Sequence, residues 1–163
     1  MKTGRWQRAS THVPHGHGGF SAAELMVVVG VIGVLFTVSV PFFVTAYQAA
    51  AARADLQQVM SLFNQARELA IKQNNRVCVS LPNNQQMQFM QGSCGGAAWV
   101  GAGTDGAGVI NLPAGFTIGP VASTVTFTYL GAATAATTYT MTNSTTGGTM
   151  TISIALSGRV RSP

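Results

Sequence analysis

The sequence predicts an α+β protein in which a long N-terminal α-helix packs against a C-terminal antiparallel β-rich head. Two observations predict the helix: residues 20–52 carry a single formal charge, Glu24, and residues 53–75 then repeat apolar side chains every three or four positions. A third observation predicts the head, because residues 76–163 alternate short Val-, Ile-, Thr- and Phe-containing runs with Gly- and Asn-rich turns. The length of 163 residues suits one small domain beside such a helix.

The first part of the predicted helix is apolar on every face, most clearly over residues 25–40. The uncharged stretch is longer than the roughly 20 residues that a membrane span needs. Lys2, Arg5 and Arg8 precede it. The positive-inside tendency therefore places the N-terminus in the cytoplasm and the head in the periplasm or outside. Pro41 is expected to kink or loosen this helix, because it lacks an N–H and its ring clashes with the preceding turn.

The second part of the predicted helix, residues 53–75, is amphipathic and has one face to bury against the head. Asn74-Asn75 is expected to end it. The apolar positions of the buried face are Leu56, Val59, Met60, Phe63, Ala66, Leu69 and Ala70.

Seven strands are predicted in the head, and residues 82–85 are expected to join the first two as a hairpin. The strands are Arg76–Leu81, Gln86–Met90, Val109–Leu112, Phe116–Ile118, Thr124–Leu130, Thr137–Thr142 and Thr149–Leu156. Alternation in the last strand puts Met150, Ile152, Ile154 and Leu156 on one face, which is expected to pack on the helix.

Two cysteines, Cys78 and Cys94, lie on either side of the predicted hairpin. An oxidising compartment would let them pair, and a disulfide that closes so short a loop contributes about 3 kcal/mol in the loop-entropy model. The alternative is a pair of buried free thiols, which is the less favoured outcome outside the cytosol.

The charged residues argue against an enzyme. Beyond Glu24 the carboxylates are Asp55, Glu68 and Asp105, which are far apart in the sequence. Acid–base catalysis, histidine-assisted nucleophiles and zinc sites all need clustered groups, so no catalytic, cofactor or metal site is predicted. The Gly101–Gly108 segment lacks the lysine and following helix of a phosphate loop, so it is expected to be a surface loop.

The three histidines, His12, His15 and His17, could be read as a metal-binding tract. They all precede Gly19, however, so proteolytic removal of the N-terminal segment would remove them. The formal net charge of +5 is reduced in the same way, because Lys2 and other basic residues of that segment contribute to it. The remaining chain is not strongly basic.

The most specific motif is Gly19-Phe20-Ser-Ala-Ala-Glu24, which opens the apolar segment. A carboxylate within a membrane span costs about 2.5–3.5 kcal/mol on insertion scales, so Glu24 is expected to have a partner. A new amine created at Phe20 would supply one. The motif resembles the class III signal of type IV pilins and type II secretion pseudopilins.

This resemblance implies that a prepilin peptidase removes residues 1–19 by cutting after Gly19, and that the new N-terminus at Phe20 is methylated. It implies that Glu24 pairs with the amine of a neighbouring subunit during filament assembly. Residues 20–52 would form the transmembrane and assembly helix, and residues 53–163 the periplasmic head. The protein would be single-pass in a bacterial inner membrane and would join other pilins or pseudopilins in a pilus or pseudopilus.

A second motif, Gly158-Arg159-Val160-Arg161, lies near the C-terminus. In an extended segment Arg159 and Arg161 point to the same side at a spacing of about 7 Å, which suits successive phosphates of a nucleic-acid strand. The motif resembles the G-R-x-R motif of the FimT subfamily of minor pilins. That resemblance implies binding of double-stranded DNA for natural transformation.

Two arginines alone would bind weakly, so useful DNA binding would need Arg76 or Lys72 nearby as well, or several subunits acting together. No aromatic residue adjoins the motif in the sequence. Stacking on bases is therefore not expected, and binding should be independent of sequence.

Three alternatives remain open. The arginines could be edge charges that keep a strand from pairing. The chain could be an H-type pseudopilin of a type II secretion system with a purely structural role. Lastly, residues 1–54 could be an ordinary secretory signal cut near residues 49–52, although Glu24 inside the apolar region argues against that.

Overall fold

The computed structural model describes residues 19–121 and 123–162. The chain divides into two compact units, Met1–Thr45 and Ala46–Pro163. Several residues of the expected leader lie outside the described residues: Lys2, Arg5, Arg8, His12, His15 and His17.

One long helix, α1, runs from Ala22 to Lys72. Ser21 caps its start, because its Oγ accepts a hydrogen bond from the Glu24 amide at 3.2 Å. The helix continues without interruption through Pro41.

The end of α1 is a Schellman motif built on two asparagines. Asn74 has a left-handed φ of 47°, and the Asn75 amide donates to the Ala70 carbonyl at 3.1 Å. The Asn74 amide donates to the Ile71 carbonyl at 3.2 Å. The predicted stop at Asn74-Asn75 is confirmed, with the last helical residue at Lys72.

Within residues 19–121 and 123–162, eight strands follow the helix and form two four-stranded antiparallel sheets. The first sheet has the order β3-β2-β1-β5 and the second the order β4-β6-β7-β8. The strands are β1 (Val77–Asn83), β2 (Gln86–Gln91), β3 (Val109–Asn111), β4 (Phe116–Gly119), β5 (Val125–Phe127), β6 (Thr137–Asn143), β7 (Thr149–Ile154) and β8 (Val160–Arg161). The predicted fold class is confirmed.

The predicted hairpin joins β1 and β2 through a tighter turn than expected. Asn83 pairs with Gln86, so that the loop contains only residues 84 and 85. The pairing is irregular between Ser80 and Asn83. Pro82 lies in this irregular stretch, where its missing N–H removes no regular ladder bond.

Three predicted strands end earlier than the sequence indicated, and the first of them is β3, which ends at Asn111 instead of Leu112. β5 ends at Phe127 and β7 at Ile154. Leu156 is consequently 60% exposed instead of buried, so its assignment to the packed face was wrong. The physical reason is a turn after β7, in which the Gly158 amide donates to the Ala155 carbonyl at 2.8 Å.

The amphipathic part of α1 packs on the sheets as predicted, and Phe63 lies at the centre of the contact. Its ring stacks on that of Tyr139, with centroids 5.1 Å apart. The Tyr139 hydroxyl donates to the Ser123 carbonyl at 3.2 Å. Burial raises the pKa of Tyr139 to about 12, against the smaller lowering effect of that hydrogen bond. The fully buried helix residues are Val59, Phe63, Ala66 and Ala70.

Cys78 and Cys94 form a disulfide, as predicted. Cys78 lies on β1 and is fully buried, whereas Cys94 lies on the exposed loop after β2. The bridge therefore ties this loop to the first sheet.

Candidate functional site

The two C-terminal arginines lie at the edge of the second sheet. β8 pairs with β7 so that Val160 faces Ile154 and Arg161 faces Ser153. Val160 packs against the core, while Arg159 and Arg161 are exposed. Strand alternation thus places both guanidinium groups on the outer face, as the sequence indicated.

Arg159 and Arg161 line one shallow groove together with side chains of β6 and β7. Ser153 and Thr138 add hydroxyl groups to its wall. Among residues 19–121 and 123–162, neither arginine forms an ion pair with a carboxylate. The groove therefore offers two free guanidinium forks and neighbouring hydroxyl donors, a set that suits phosphate oxygens.

The backbone before Arg159 is fixed by two close approaches. Gly158 is buried, has a φ of 76°, and any Cβ added to it would collide with the Gly131 carbonyl oxygen. The same carbonyl accepts a hydrogen bond from Arg67 Nε at 2.8 Å. Gly131 also has a positive φ, 77°, and lies against Ile71. Arg67 on α1 and the turn at Gly131 therefore position the start of the arginine motif.

Arg67 is a site residue that the sequence analysis missed. Arg67 follows Ala66, which lies on the buried face of α1, and this position indicates partial burial. The sequence does not indicate its partner, because the Gly131 carbonyl lies on a turn 64 residues away.

Lys72 and Arg76 do not line the arginine groove. Lys72 Nζ lies 3.4 Å from Glu68 Oε2 in an exposed pair one turn apart on α1. Arg76 is exposed and precedes β1, and its carbonyl accepts a hydrogen bond from Gly92 at 2.7 Å. Their expected contribution to DNA binding remains a prediction.

An aromatic residue lies on a turn that contacts the motif, although none adjoins the motif in the sequence. Tyr129 belongs to the turn 128–131, whose last residue, Gly131, contacts Gly158. Tyr129 is 50% exposed. Sequence adjacency could not reveal this, because the two turns are brought together only by the fold.

The processing motif lies at the start of α1. Phe20 is 79% exposed, and a Cβ added to Gly19 would meet no heavy atom of the described residues within 4 Å. Glu24 occupies the first helical turn, where the helix dipole favours a negative charge. Within the described residues Glu24 has no ion pair.

The apolar segment of α1 leaves its side chains uncovered. The helix contains an 18-residue window with a mean hydropathy of 2.6, none of it buried, which is long and apolar enough to cross a membrane. By contrast, residues 19–121 and 123–162 contain no cluster of three or more His, Cys, Asp or Glu side chains that could hold a metal ion.

Comparison with known proteins identifies the family. The sequence profile of the family described as type II transport protein GspH matches residues 55–158. No curated protein sequence matches the chain significantly.

Two solved structures share the fold. The type IV minor pilin FimU of Pseudomonas aeruginosa strain PAO1 has a TM-score of 0.50 and 16% identity, over 68% of this chain and 87% of that one. The minor pseudopilin EpsH from the type 2 secretion system of Vibrio cholerae has a TM-score of 0.51 and 13% identity, over 69% and 95%.

The matched residues cover most of the chain, including the amphipathic part of α1 from Asp55 onward and strands β1–β7, and they end at Gly158, before β8. The matching family is that of a type II transport protein, and the two structural neighbours are a minor pilin and a minor pseudopilin. The chain therefore belongs to the GspH family and is a subunit of the minor pilin or pseudopilin type.

Proposed function

We propose that this subunit is a minor type IV pilin whose arginine groove binds the backbone of double-stranded DNA, without sequence preference, for uptake in natural transformation. The observation that carries the proposal is the placement of Arg159 and Arg161 side by side in one groove, unpaired with any described carboxylate. Guanidinium groups recognise phosphate oxygens through two parallel hydrogen bonds, and such contacts carry no sequence information.

The proposal includes processing and membrane insertion. A prepilin peptidase cuts after Gly19, and Phe20 becomes the N-terminus of a single-pass inner-membrane protein whose head is periplasmic. The uncovered apolar segment supports this, because such side chains need lipid or other helices around them. Ser21 as the helix cap also supports it, since the helix then begins just beyond the cut.

The DNA proposal is tested with the full chain in neutral detergent micelles and a labelled duplex, by fluorescence anisotropy at several salt concentrations. Replacing both Arg159 and Arg161 with alanine should remove two phosphate contacts. The log–log salt slope should then decrease in magnitude by about 1.8, at about 0.9 per contact.

The matched control is Arg53→Ala, which removes an exposed arginine of α1 that does not line the groove. Lys72→Ala and Arg76→Ala measure any secondary contribution. If the double variant binds duplex DNA with unchanged affinity and salt slope, the arginines have no part in DNA binding. If it instead aggregates while DNA binding persists, they protect the sheet edge at β8.

The second candidate is an H-type pseudopilin with a purely structural role in a type II secretion system. The description of the matching family as a type II transport protein favours it. Absence of binding to both duplex and single-stranded DNA by the unmodified chain would decide for this candidate.

A further inference from the structure

Tyr129 lies on a turn whose backbone is held by several hydrogen bonds. The Gly131 amide donates to the Thr128 carbonyl at 2.8 Å, and the Thr128 amide donates to the Ala132 carbonyl at 2.8 Å. The Thr128 hydroxyl reaches the same Ala132 carbonyl at 3.1 Å, and Arg67 on α1 binds the Gly131 carbonyl. An exposed ring on so constrained a backbone loses little conformational freedom on binding a partner.

Within the described part of the chain the Tyr129 ring has no aromatic partner. Its residue is half exposed, and the two aromatic contacts there are Phe63–Tyr139 and Phe89–Trp99. Burial in the core therefore does not account for Tyr129.

The turn of Tyr129 adjoins the arginine motif through two contacts. Gly131 meets Gly158, and the Ala133 amide donates to the Leu156 carbonyl at 2.9 Å. The path from Tyr129 to Gly131 and from Gly158 to Arg159 takes chain steps of about 3.8 Å each. Together with the close approach of Gly131 to Gly158, these steps place the Cα atoms of Tyr129 and Arg159 within about 17 Å. At the spacing of about 7 Å between successive phosphates of a strand, this distance corresponds to about two nucleotides.

We propose that Tyr129 stacks on an unpaired base of a DNA strand whose phosphates lie along Arg159 and Arg161, so that the head prefers single-stranded DNA to duplex DNA. The inference rests on the DNA binding proposed above. In a duplex both faces of an interior base are covered by its neighbours, whereas a single strand exposes them to an aromatic side chain.

The two DNA forms differ little in the electrostatic contribution. Each phosphate contact contributes about 0.9 to the log–log salt slope for a duplex and about 0.7 for a single strand. Counterion release therefore favours the duplex slightly. Stacking of one base on an aromatic residue strengthens binding by about fivefold or more. Stacking therefore outweighs the small electrostatic preference for a duplex that only two arginines provide.

The experiment compares oligothymidine with a duplex of the same length, using the full chain in detergent micelles. Tyr129→Ala should weaken oligothymidine binding by about fivefold or more and leave duplex binding unchanged. Tyr129→Phe keeps the ring and should bind like the unmodified chain. Leu130→Ala, which truncates an exposed apolar neighbour on the same turn, is the matched control.

The outcomes separate the inference from the proposed function. If Tyr129→Ala binds oligothymidine normally while duplex binding still depends on Arg159 and Arg161, base stacking is wrong and DNA binding stands. An equal loss for both DNA forms also overturns stacking, because the ring would then act through the fold. If the unmodified chain binds neither form, the proposed function fails and the inference fails with it.

A defect of Tyr129→Ala that appears only as reduced incorporation into filaments, with normal binding of oligothymidine, would assign the ring to a contact between subunits. That result would also overturn base stacking.

Discussion

Gly158 is subject to two constraints that glycine alone satisfies together. Its φ of 76° lies in the left-handed region, and its Cα is so close to the Gly131 carbonyl that no Cβ fits. The glycine of the G-R-x-R motif thus has a structural role, because it lets the chain turn tightly against Gly131 before β8 begins at Val160.

We expect Gly158→Ala to lower the free energy of unfolding by about 2 kcal/mol or more, because a left-handed alanine is strained and its Cβ also displaces Gly131. Urea unfolding of the full chain in detergent measures this. Gly147→Ala is the control, since Gly147 has a φ of 68° but open space around its Cα. It should cost about 1 kcal/mol. Equal losses in the two variants would show that contact with Gly131 contributes nothing.

The individual residues of the candidate site differ in how far the sequence could reveal them. Arg159 and Arg161 could be predicted to share a face, because a strand alternates its side chains whatever it pairs with. Arg67 and Tyr129 could not be connected with them. Their relation to the motif depends on a turn at Gly131 that meets a second turn at Gly158, and no local pattern encodes that meeting.

At the scale of elements, periodicity predicted most of the fold because each helix and strand buries one face. The buried positions of α1 and the strands β1–β7 follow from that rule. It failed at the end of β7, where the alternation continues to Leu156 but the backbone has already turned away. The pairing of strands into two sheets depends on contacts distant in sequence, which periodicity does not specify.

The disulfide links two elements of different burial, β1 through Cys78 and the loop after β2 through Cys94. Reduction should lower the free energy of unfolding by about 3 kcal/mol, because it frees a short loop in the unfolded chain. Urea unfolding with and without dithiothreitol measures this, and the exposed Cys94 gives the reductant access.

The replacement of both cysteines with alanine serves as the control for side effects of the reductant. It should unfold at the same urea concentration with and without dithiothreitol. If reduction leaves the midpoint of the unmodified chain unchanged as well, the bridge only anchors its loop locally and does not stabilise the head.

The whole molecule presents two surfaces of opposite character. The head buries most of its large apolar side chains in one core, whereas the large apolar residues of α1 before Thr45 are exposed. Water does not stabilise such a helix surface, so lipid or the helices of other subunits must cover it. This requirement connects membrane anchoring with filament assembly, because the same surface can pass from lipid to neighbouring helices.

Within that surface Glu24 is the one charged side chain, and its proposed partner is the Phe20 amine of a neighbouring subunit. Glu24→Ala leaves that amine without a counter-charge in a low-dielectric environment. We expect a subunit that is still cut after Gly19 but is poorly incorporated into filaments. Mass analysis of the N-terminus tests the cut, and immunoblotting of sheared filaments tests incorporation.

Two further variants separate two possible roles of Glu24, pairing through its negative charge and capping the start of α1 together with Ser21. Glu24→Gln keeps the shape but removes the charge, so it should incorporate as poorly as Glu24→Ala. Ser21→Ala removes the cap hydrogen bond, at a cost of about 1 kcal/mol to the helix, but keeps the charge and should incorporate nearly normally. Normal incorporation of Glu24→Gln, together with a defect in Ser21→Ala, would assign Glu24 to helix capping and would refute the proposed pairing between subunits.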